Sequence, residues 1–330
     1  MSAEKKIVLS GLRPTGRVHL GNYWGAVKNW VDLQDAYRCH YFVADLHGLT
    51  TDYADTSAIR EATLEAAADW LSVGLDPEKS VLYVQSRVPQ TAELALVFGM
   101  ITPVGWLERV PTYKEQIEQL REKDLGTFGF LGYPVLMTAD IALVLADYVP
   151  VGKDQESHLE ISREIVRRFN GFYGEVFPEP QALYTATPKV PGIDGRKMSK
   201  SYGNTIALSD SAADVSQKVM SMLTDPGRAR RSDPGDPDVC NLFPFHRLYS
   251  SPGEVAEVDR ECRTAARGCV DCKKHLIRNM NAALEPVRAK RAEIASKPGF
   301  ARDVLEAGNE RAREIAGRTM ERVSGAMNLL

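Results

Sequence analysis

Residues 194–204 read DGRKMSKSYGN, in which Lys197, Lys200, Ser199 and Ser201 surround Met198 and glycine lies on either side. The stretch is too polar for a core strand, and its glycines oppose a stable helix. Two ammonium groups and two hydroxyls on a short mobile loop are chemistry for a polyanion. A second stretch, SGLRPTGRVHLGNYWGA (10–26), joins a strand pattern to a helix pattern. Gly11, Gly16 and Gly21 allow a tight turn and a close approach to a ligand. The helix that follows offers unpaired N–H groups and a positive dipole end to phosphate. His19 and Asn22 can donate to phosphate oxygens. The spacing is not G-x-G-x-x-G, so the dinucleotide fingerprint is absent. The plainer alternatives are a glycine turn ahead of a helix and a solvated charged turn.

A third set is thiol chemistry. Cys240, Cys262, Cys269 and Cys272 follow the pattern C-x21-C-x6-C-x2-C, and Cys39 lies far away. Four clustered cysteines in a chain with no secretory signal argue for metal more than for disulfides. Four thiolates suit tetrahedral zinc or an iron–sulfur cube. Zinc sites usually present two close pairs; one close pair, with a third cysteine seven residues before it and the fourth far upstream, suits a [4Fe–4S] cluster better. Zinc and free thiols remain the alternatives.

The elements that must position these groups are legible as periodicity. KKIVLSG (5–11), CHYFVADLHGL (39–49), SVLYVQS (80–86) and DYVPVGKDQ (147–155) read as strands. Helical patterns cover Trp24 onward, 57–75 and 156–170. Strands alternating with helices predict an α/β fold, a doubly wound parallel sheet over residues 1–205. After that the pattern is helical: 209–223, with Ser209 or Asp210 as its cap, 273–296 and 310–327. A second, all-helical domain over 206–330 is expected, with the last helix free to pack back on the sheet.

The composition is that of an ordinary globular chain, with 44% apolar and 26% charged residues and a formal net charge of −3. Any nucleic acid must therefore be bound by local patches. No apolar run is long enough for a membrane-spanning helix. The N-terminus lacks a secretory signal, so a cytoplasmic location is expected.

HLGN after the first strand and KMSKS at the end of the sheet region resemble the paired signatures of class I aminoacyl-tRNA synthetases. The longer stretches GLRPTGRVHLGNYWGA, YPVLMTADI, VPVGKDQESHLE and GRKMSKSYGN are similar to those of the bacterial tryptophanyl-tRNA synthetases, over essentially the whole chain. The resemblance implies activation of L-tryptophan by ATP with Mg2+, transfer to tRNA(Trp), and a homodimer to which the apolar stretch 92–101 could contribute. It implies that Lys197, Lys200 and Lys114 meet the phosphates, with Thr15, His19 and Asn22 beside them. Arg13, Pro14, Gly21, Gly152, Lys153, Asp154, Val190, Met198, Ser199 and Ser201 would complete the ATP site. Tyr133, Met137, Asp140, Gln155 and His47 would hold tryptophan, with Asp140 accepting the indole N–H. A subset of these enzymes carries a [4Fe–4S] cluster at nearly this cysteine spacing, in the anticodon-binding domain. Arg263, Arg267, Lys273, Lys274 and the stretch 227–233 then become candidates for tRNA. Two positions depart from the commoner pattern: Asn22 stands where many relatives have histidine, and Arg13 where many have glutamine. A tyrosyl-tRNA synthetase, or an iron–sulfur nucleic-acid-binding relative without the activity, are the competing readings.

Overall fold

The computed structural model describes residues 5–110, 113, 124–152, 156–184 and 188–329. Five strands, β1 (Ile7–Leu12), β2 (Arg38–Val43), β3 (Ser80–Val84), β4 (Tyr148–Val151) and β5 (Gln181–Tyr184), form one sheet in the order β3-β2-β1-β4-β5. Every pairing is parallel; Val8 lies beside Cys39 on one side and Tyr148 on the other. Alternation along each strand divides the core. Val8, Tyr41, Val43 and Leu82 join one buried cluster, and their neighbours Leu9, Phe42 and Tyr83 join a second. Both faces of the sheet are thus dry, as a parallel sheet requires.

After β1 the chain enters a helix with a defect: α1 (Leu20–Asn22), a π-helical turn (Tyr23–Val27) and α2 (Lys28–Leu33) run on continuously. Such π turns recur at functional sites. The first face is covered by Trp30, stacked on Tyr41 at 4.7 Å, and by Trp70 of α4 (Ile59–Ser72). The second is covered by α5 (Gln90–Ile101), α8 (Tyr133–Leu143) and α9 (Glu156–Tyr173). Short helices α6 (Val104–Leu107) and α7 (Phe128–Leu131) lie between α5 and α8.

Beyond residue 208 the described chain is helical: α10 (Ala212–Ser221), α11 (Phe243–Tyr249), α12 (Pro252–Arg263), α13 (Cys269–Ala295) and α14 (Phe300–Ala326). Helix α14 returns to the sheet, where Gly308 lies so close to β3 that a Cβ would fall 1.7 Å from the Leu82 carbonyl oxygen.

Two expectations are corrected. The strand reading of 39–49 overruns: β2 ends at Val43, and DLHGL belongs to α3 (Asp45–Asp52). Asp45 is the physical reason, because its carboxylate accepts N–H bonds from Leu46 and Ser86 and turns the chain out of the sheet. The cap of α10 is Ser211, not Ser209 or Asp210. Ser211 and Asp214 form a reciprocal capping box, whereas Asp210 accepts from Ala207 N–H and Lys218.

Candidate active site

The candidate residues lie largely at the carboxyl edge of the sheet, where open α/β folds bind ligands. His19 caps α1: its Nδ1 accepts the Asn22 N–H at 3.2 Å. That bond leaves the proton on Nε2, free to donate. Burial, and secondarily the Lys200 ammonium, hold His19 down at about 4, so it is neutral near pH 7. Gly21 faces the second signature directly. Its N–H points at Met198 Sδ, 3.4 Å away and 177 residues distant in sequence, and a Cβ on Gly21 would crowd both His19 and Met198.

The loop carrying Lys197 and Lys200 is anchored by one buried amide. Asn204 donates to Asp194 Oδ1 (2.8 Å) and to the Lys197 carbonyl (3.1 Å), and accepts from Ser199 N–H (2.8 Å). Around it, Met198 and Val190 are buried, Lys197 and Ser201 are exposed, and the Ser199 and Ser201 hydroxyls bond each other at 2.9 Å. Lys200 reaches back to the Thr15 carbonyl of the first signature. Gly16, at φ +93°, is the turn that admits it: a Cβ there would lie 3.1 Å from Lys200 Nζ. Partial burial lowers Lys200 to about 8; Asp69 and Glu65 oppose the shift and Arg17 adds to it.

The amino-acid half is built differently. Tyr133, Met137 and Asp140 recur at helical spacing on one face of α8. Asp140 is 3% exposed and accepts from His47 Nε2 at 2.9 Å and from Gln85 Nε2 at 2.8 and 2.9 Å. Burial pushes its carboxyl above the ordinary range, and the His47 bond opposes that shift. A carboxylate has about four lone-pair sites, so these two donors leave capacity for a third. Tyr133 O–H lies 2.5 Å from His158 Nε2.

Helix α3 joins the halves. His47 touches Asp140, while Thr51, one turn later, accepts from Arg13 at 3.2 Å, and Gly48 between them lies against Pro14. Arg13 and Thr15 are exposed, Pro14 is half-buried, and Gly152 follows β4. Lys114, Lys153, Asp154 and Gln155 lie outside the described residues. Gln85, Asn204, Thr51 and His158 were missed from sequence. Gln85 carried a signal, as a polar residue ending an apolar strand run.

At the far end, Cys240 precedes α11, Cys262 lies on α12, and Cys269 and Cys272 open α13. The four thiols form one neighbourhood: Cys272 is pushed up to about 12, chiefly by burial and in smaller part by Cys240, Cys262 and Cys269, with Arg267 opposing. Nitrogen groups surround them. Arg228 lies 4.0 Å from Cys262 Sγ, His246 Nε2 lies 3.3 Å from Cys272 Sγ, and backbone groups of Leu242 and Phe243 bond Cys240. Among the described residues, no group of three or more His, Cys, Asp or Glu could hold a metal ion as placed. Three of the cations named as candidates for tRNA have partners within the fold. Arg263 pairs with Asp236, Asp238 and Asp259; Arg267 with Glu257 and Glu261; and Lys273 donates to the carbonyls of Met220 and Met222. Lys274 and Arg278 line a cavity of about 410 Å³ with Glu254, Asp271 and His275.

A five-stranded parallel sheet whose first turn meets a lysine-bearing loop across its carboxyl edge is the catalytic architecture of a class I aminoacyl-tRNA synthetase. Residues 1–285 match the family of class I tRNA synthetases for tryptophan and tyrosine, and the chain belongs to it. A tryptophan–tRNA ligase of Thermotoga maritima is 51% identical over 98% of this chain and 99% of its own. One from Aquifex aeolicus is 42% identical over 98% and 99%. A tryptophanyl-tRNA synthetase of Campylobacter jejuni, solved with ADP and tryptophan, superposes with a TM-score of 0.87 at 36% identity, over 98% of this chain and 100% of its own. Within the family the chain falls in the tryptophan branch: its activity is that of a tryptophan–tRNA ligase. Among the described residues no helix is long and apolar enough to cross a membrane.

Proposed function

We propose that the residues gathered above divide the ligase reaction between two differently built half-sites. The tryptophan carboxylate attacks the α-phosphorus of ATP, the bond to the bridging oxygen breaks, and pyrophosphate leaves with its electron pair. The acyl group then passes to the 2′-OH of the terminal ribose of tRNA(Trp), releasing AMP. The first step needs no protein nucleophile, only in-line placement and stabilisation of charge on the leaving group. Lys197 and Lys200 supply that charge, with Ser199 and Ser201 as hydroxyl donors. His19 Nε2–H and Asn22 bind phosphate at the helix N-terminus. Lys114, Lys153 and Asp154 take their family roles toward ATP, with Arg13, Pro14, Thr15, Gly152 and Val190 as its other contacts. Asp140 accepts the indole N–H; Met137, Tyr133, Gln155 and His47 complete the tryptophan site. Mg2+ arrives on the ATP phosphates, since no group of three or more carboxylates or histidines forms a cage among the described residues.

The observation that supports this division is the contact of the two signatures, Lys200 on Thr15 and Gly21 on Met198. ATP–pyrophosphate exchange with tryptophan and with tyrosine tests it. Exchange with tryptophan alone is expected; exchange with tyrosine, or with neither, rejects the assignment.

The finer readings follow from the same molecule. Residues 1–205 act as the catalytic domain and 206–330 as the helical domain that meets the anticodon, with α14 packed on the former. The four thiols hold a [4Fe–4S] cluster. Support comes from the cysteine spacing and from the neighbourhood the thiols share, in which Cys272 feels the charges of Cys240, Cys262 and Cys269. Cys240, Cys262, Cys269 and Cys272 would be the cluster's ligands, and the group would supply a cross-link between α11, α12 and α13, not electrons. Anaerobic protein should be brown, and Cys262→Ser should lose colour and iron. The chain pairs with a second copy through α5 and α6, whose Leu96, Met100 and Val104 are exposed despite their apolar character. Light scattering of the purified protein reads that state directly. Its work with ATP and tRNA places it in the cytoplasm.

A further inference from the structure

Helix α4 buries Ala62, Ala66 and Trp70, and on the same stripe it carries a carboxylate, Asp69, that is fully shielded from solvent. A charge in that setting must be held on every side. Asp69 Oδ2 accepts the Val18 N–H at 2.7 Å, one residue before the capping His19. Its Oδ1 accepts from Arg291 Nε at 3.0 Å, and Arg291 belongs to α13 in the helical region. Arg291 also binds Glu65 at 2.9 Å, one turn earlier on α4. Glu65 faces Arg17 of the first signature at 3.7 Å. One guanidinium from the helical region thus holds two carboxylates that grip the turn carrying HLGN. The same turn is tied again on its other side: Val18 carbonyl accepts Leu208 N–H, and Trp24 Nε1 donates to Tyr249 O–H of α11 at 2.9 Å.

We propose that Asp69 is a positioning residue for adenylate formation, and that Arg291 of α13 acts through it to set the first signature turn against Lys200. A displacement of α13 relative to α4 then alters the ATP half-site without touching ATP. A purely structural tie has no need to end on the backbone N–H that adjoins the capping histidine. Electrostatics agree with the geometry, because Asp69 and Glu65 favour the charged form of Lys200 while Arg17 and burial oppose it. The inference rests on Lys200 acting on the phosphates, an assignment tested separately by Lys200→Ala.

The experiment uses the full-length enzyme and reads exchange kinetics, melting temperature and a pH profile for Arg291→Ala, Arg291→Lys, Asp69→Asn and Lys200→Ala, with the Arg291→Ala/Lys200→Ala pair as a cycle. Arg291→Ala should lower kcat/KM for ATP roughly tenfold while KM for tryptophan stays within about twofold, and Arg291→Lys should restore most of it. In the Lys200→Ala background Arg291→Ala should add little. Asp69→Asn keeps an acceptor for Val18 N–H but removes the charge, so the falling limb of kcat/KM for ATP should move to lower pH. The charged groups that face the Lys200 ammonium are Asp69, Glu65 and Arg17, and His19 beside it is neutral in that range. If Arg291→Ala lowers only the melting temperature, or if its kinetic loss multiplies fully with that of Lys200→Ala, the coupling is wrong. If Lys200→Ala itself leaves exchange unchanged, the phosphate assignment fails instead. Should Arg291→Ala not fold, Asp69→Asn decides alone: an unmoved limb overturns the proposal.

Discussion

The two half-sites solve opposite problems with opposite materials. The phosphate side is largely open: Lys197 and Ser201 face solvent and Lys200 is half-buried, while Asn204, Met198, Val190 and His19 are packed away. The indole side is a buried carboxylate at 3% exposure, held by His47 and Gln85 before any ligand arrives. A triphosphate brings its own charge and leaves as pyrophosphate, so its partners must close and release. An indole N–H is one weak donor, and it repays a charged acceptor only if that acceptor is already desolvated and fixed. Cations belong on a loop and the acid in a core.

The largest effect should come from the exposed side. Lys197→Ala with Lys200→Ala should lower the exchange rate by about 10³-fold while the fold is retained, since each lysine stabilises charge that builds only in the transition state. Measured kcat for exchange, with melting unchanged, checks it; a loss of under about tenfold would mean that backbone N–H groups and His19 carry the pyrophosphate, and the contrast between the halves would weaken. The buried side comes next. Asp140→Ala should lower kcat/KM for tryptophan by about 100-fold, the worth of a charged hydrogen bond, and leave KM for ATP within about twofold. Equal damage to both substrates would show that the halves are not separable, with α3, which touches both, as the connecting element.

That division also decided what could be seen from sequence. The phosphate side was legible: the lysines, serines, His19 and Asn22 stand out as polar groups bounded by glycine, and the strand–helix alternation predicted the parallel sheet. Buried chemistry was legible only through family resemblance. Asp140 and His47 sit 93 residues apart, and no local pattern announces their bond. Gln85 looked like the end of a strand because its role depends on β3 lying next to β2. The overrun of β2 into DLHGL has the same origin. Local apolar spacing continues smoothly past Val43, while the Asp45 bonds that end the strand reach Ser86 on another element. Asp69 was not singled out in the helical pattern over 57–75, because its partner Arg291 lies 222 residues away on α13.

Gln85 offers a smaller perturbation of the buried half. Gln85→Ala removes one neutral donor from a carboxylate that keeps His47, so a loss of about tenfold in kcat/KM for tryptophan is expected, and Gln85→Glu should do worse by placing a second acid against Asp140. If the alanine variant is silent while His47→Ala is not, the histidine alone fixes the acid.

The smallest effect is a matter of pH, and it separates the halves without any deep mutation. Lys200 sits below the ordinary lysine range, at about 8, because burial disfavours its charged form. A lowered value means that protons leave as pH rises through about 8, so the competent ammonium is present below that pH and lost above it. The free enzyme governs kcat/KM, so this parameter for ATP should be halved near pH 8 and fall about tenfold per further unit. With ATP bound, the triphosphate favours the ammonium, so kcat should hold to higher pH. His19, at about 4, is neutral throughout and contributes no limb near 6.5. Lys200→Arg replaces a titrating group with one that stays charged, so the limb in kcat/KM for ATP should vanish even where the rate is reduced. A limb that survives the arginine belongs to another group, and the exposed half would then owe its pH dependence to something other than the loop.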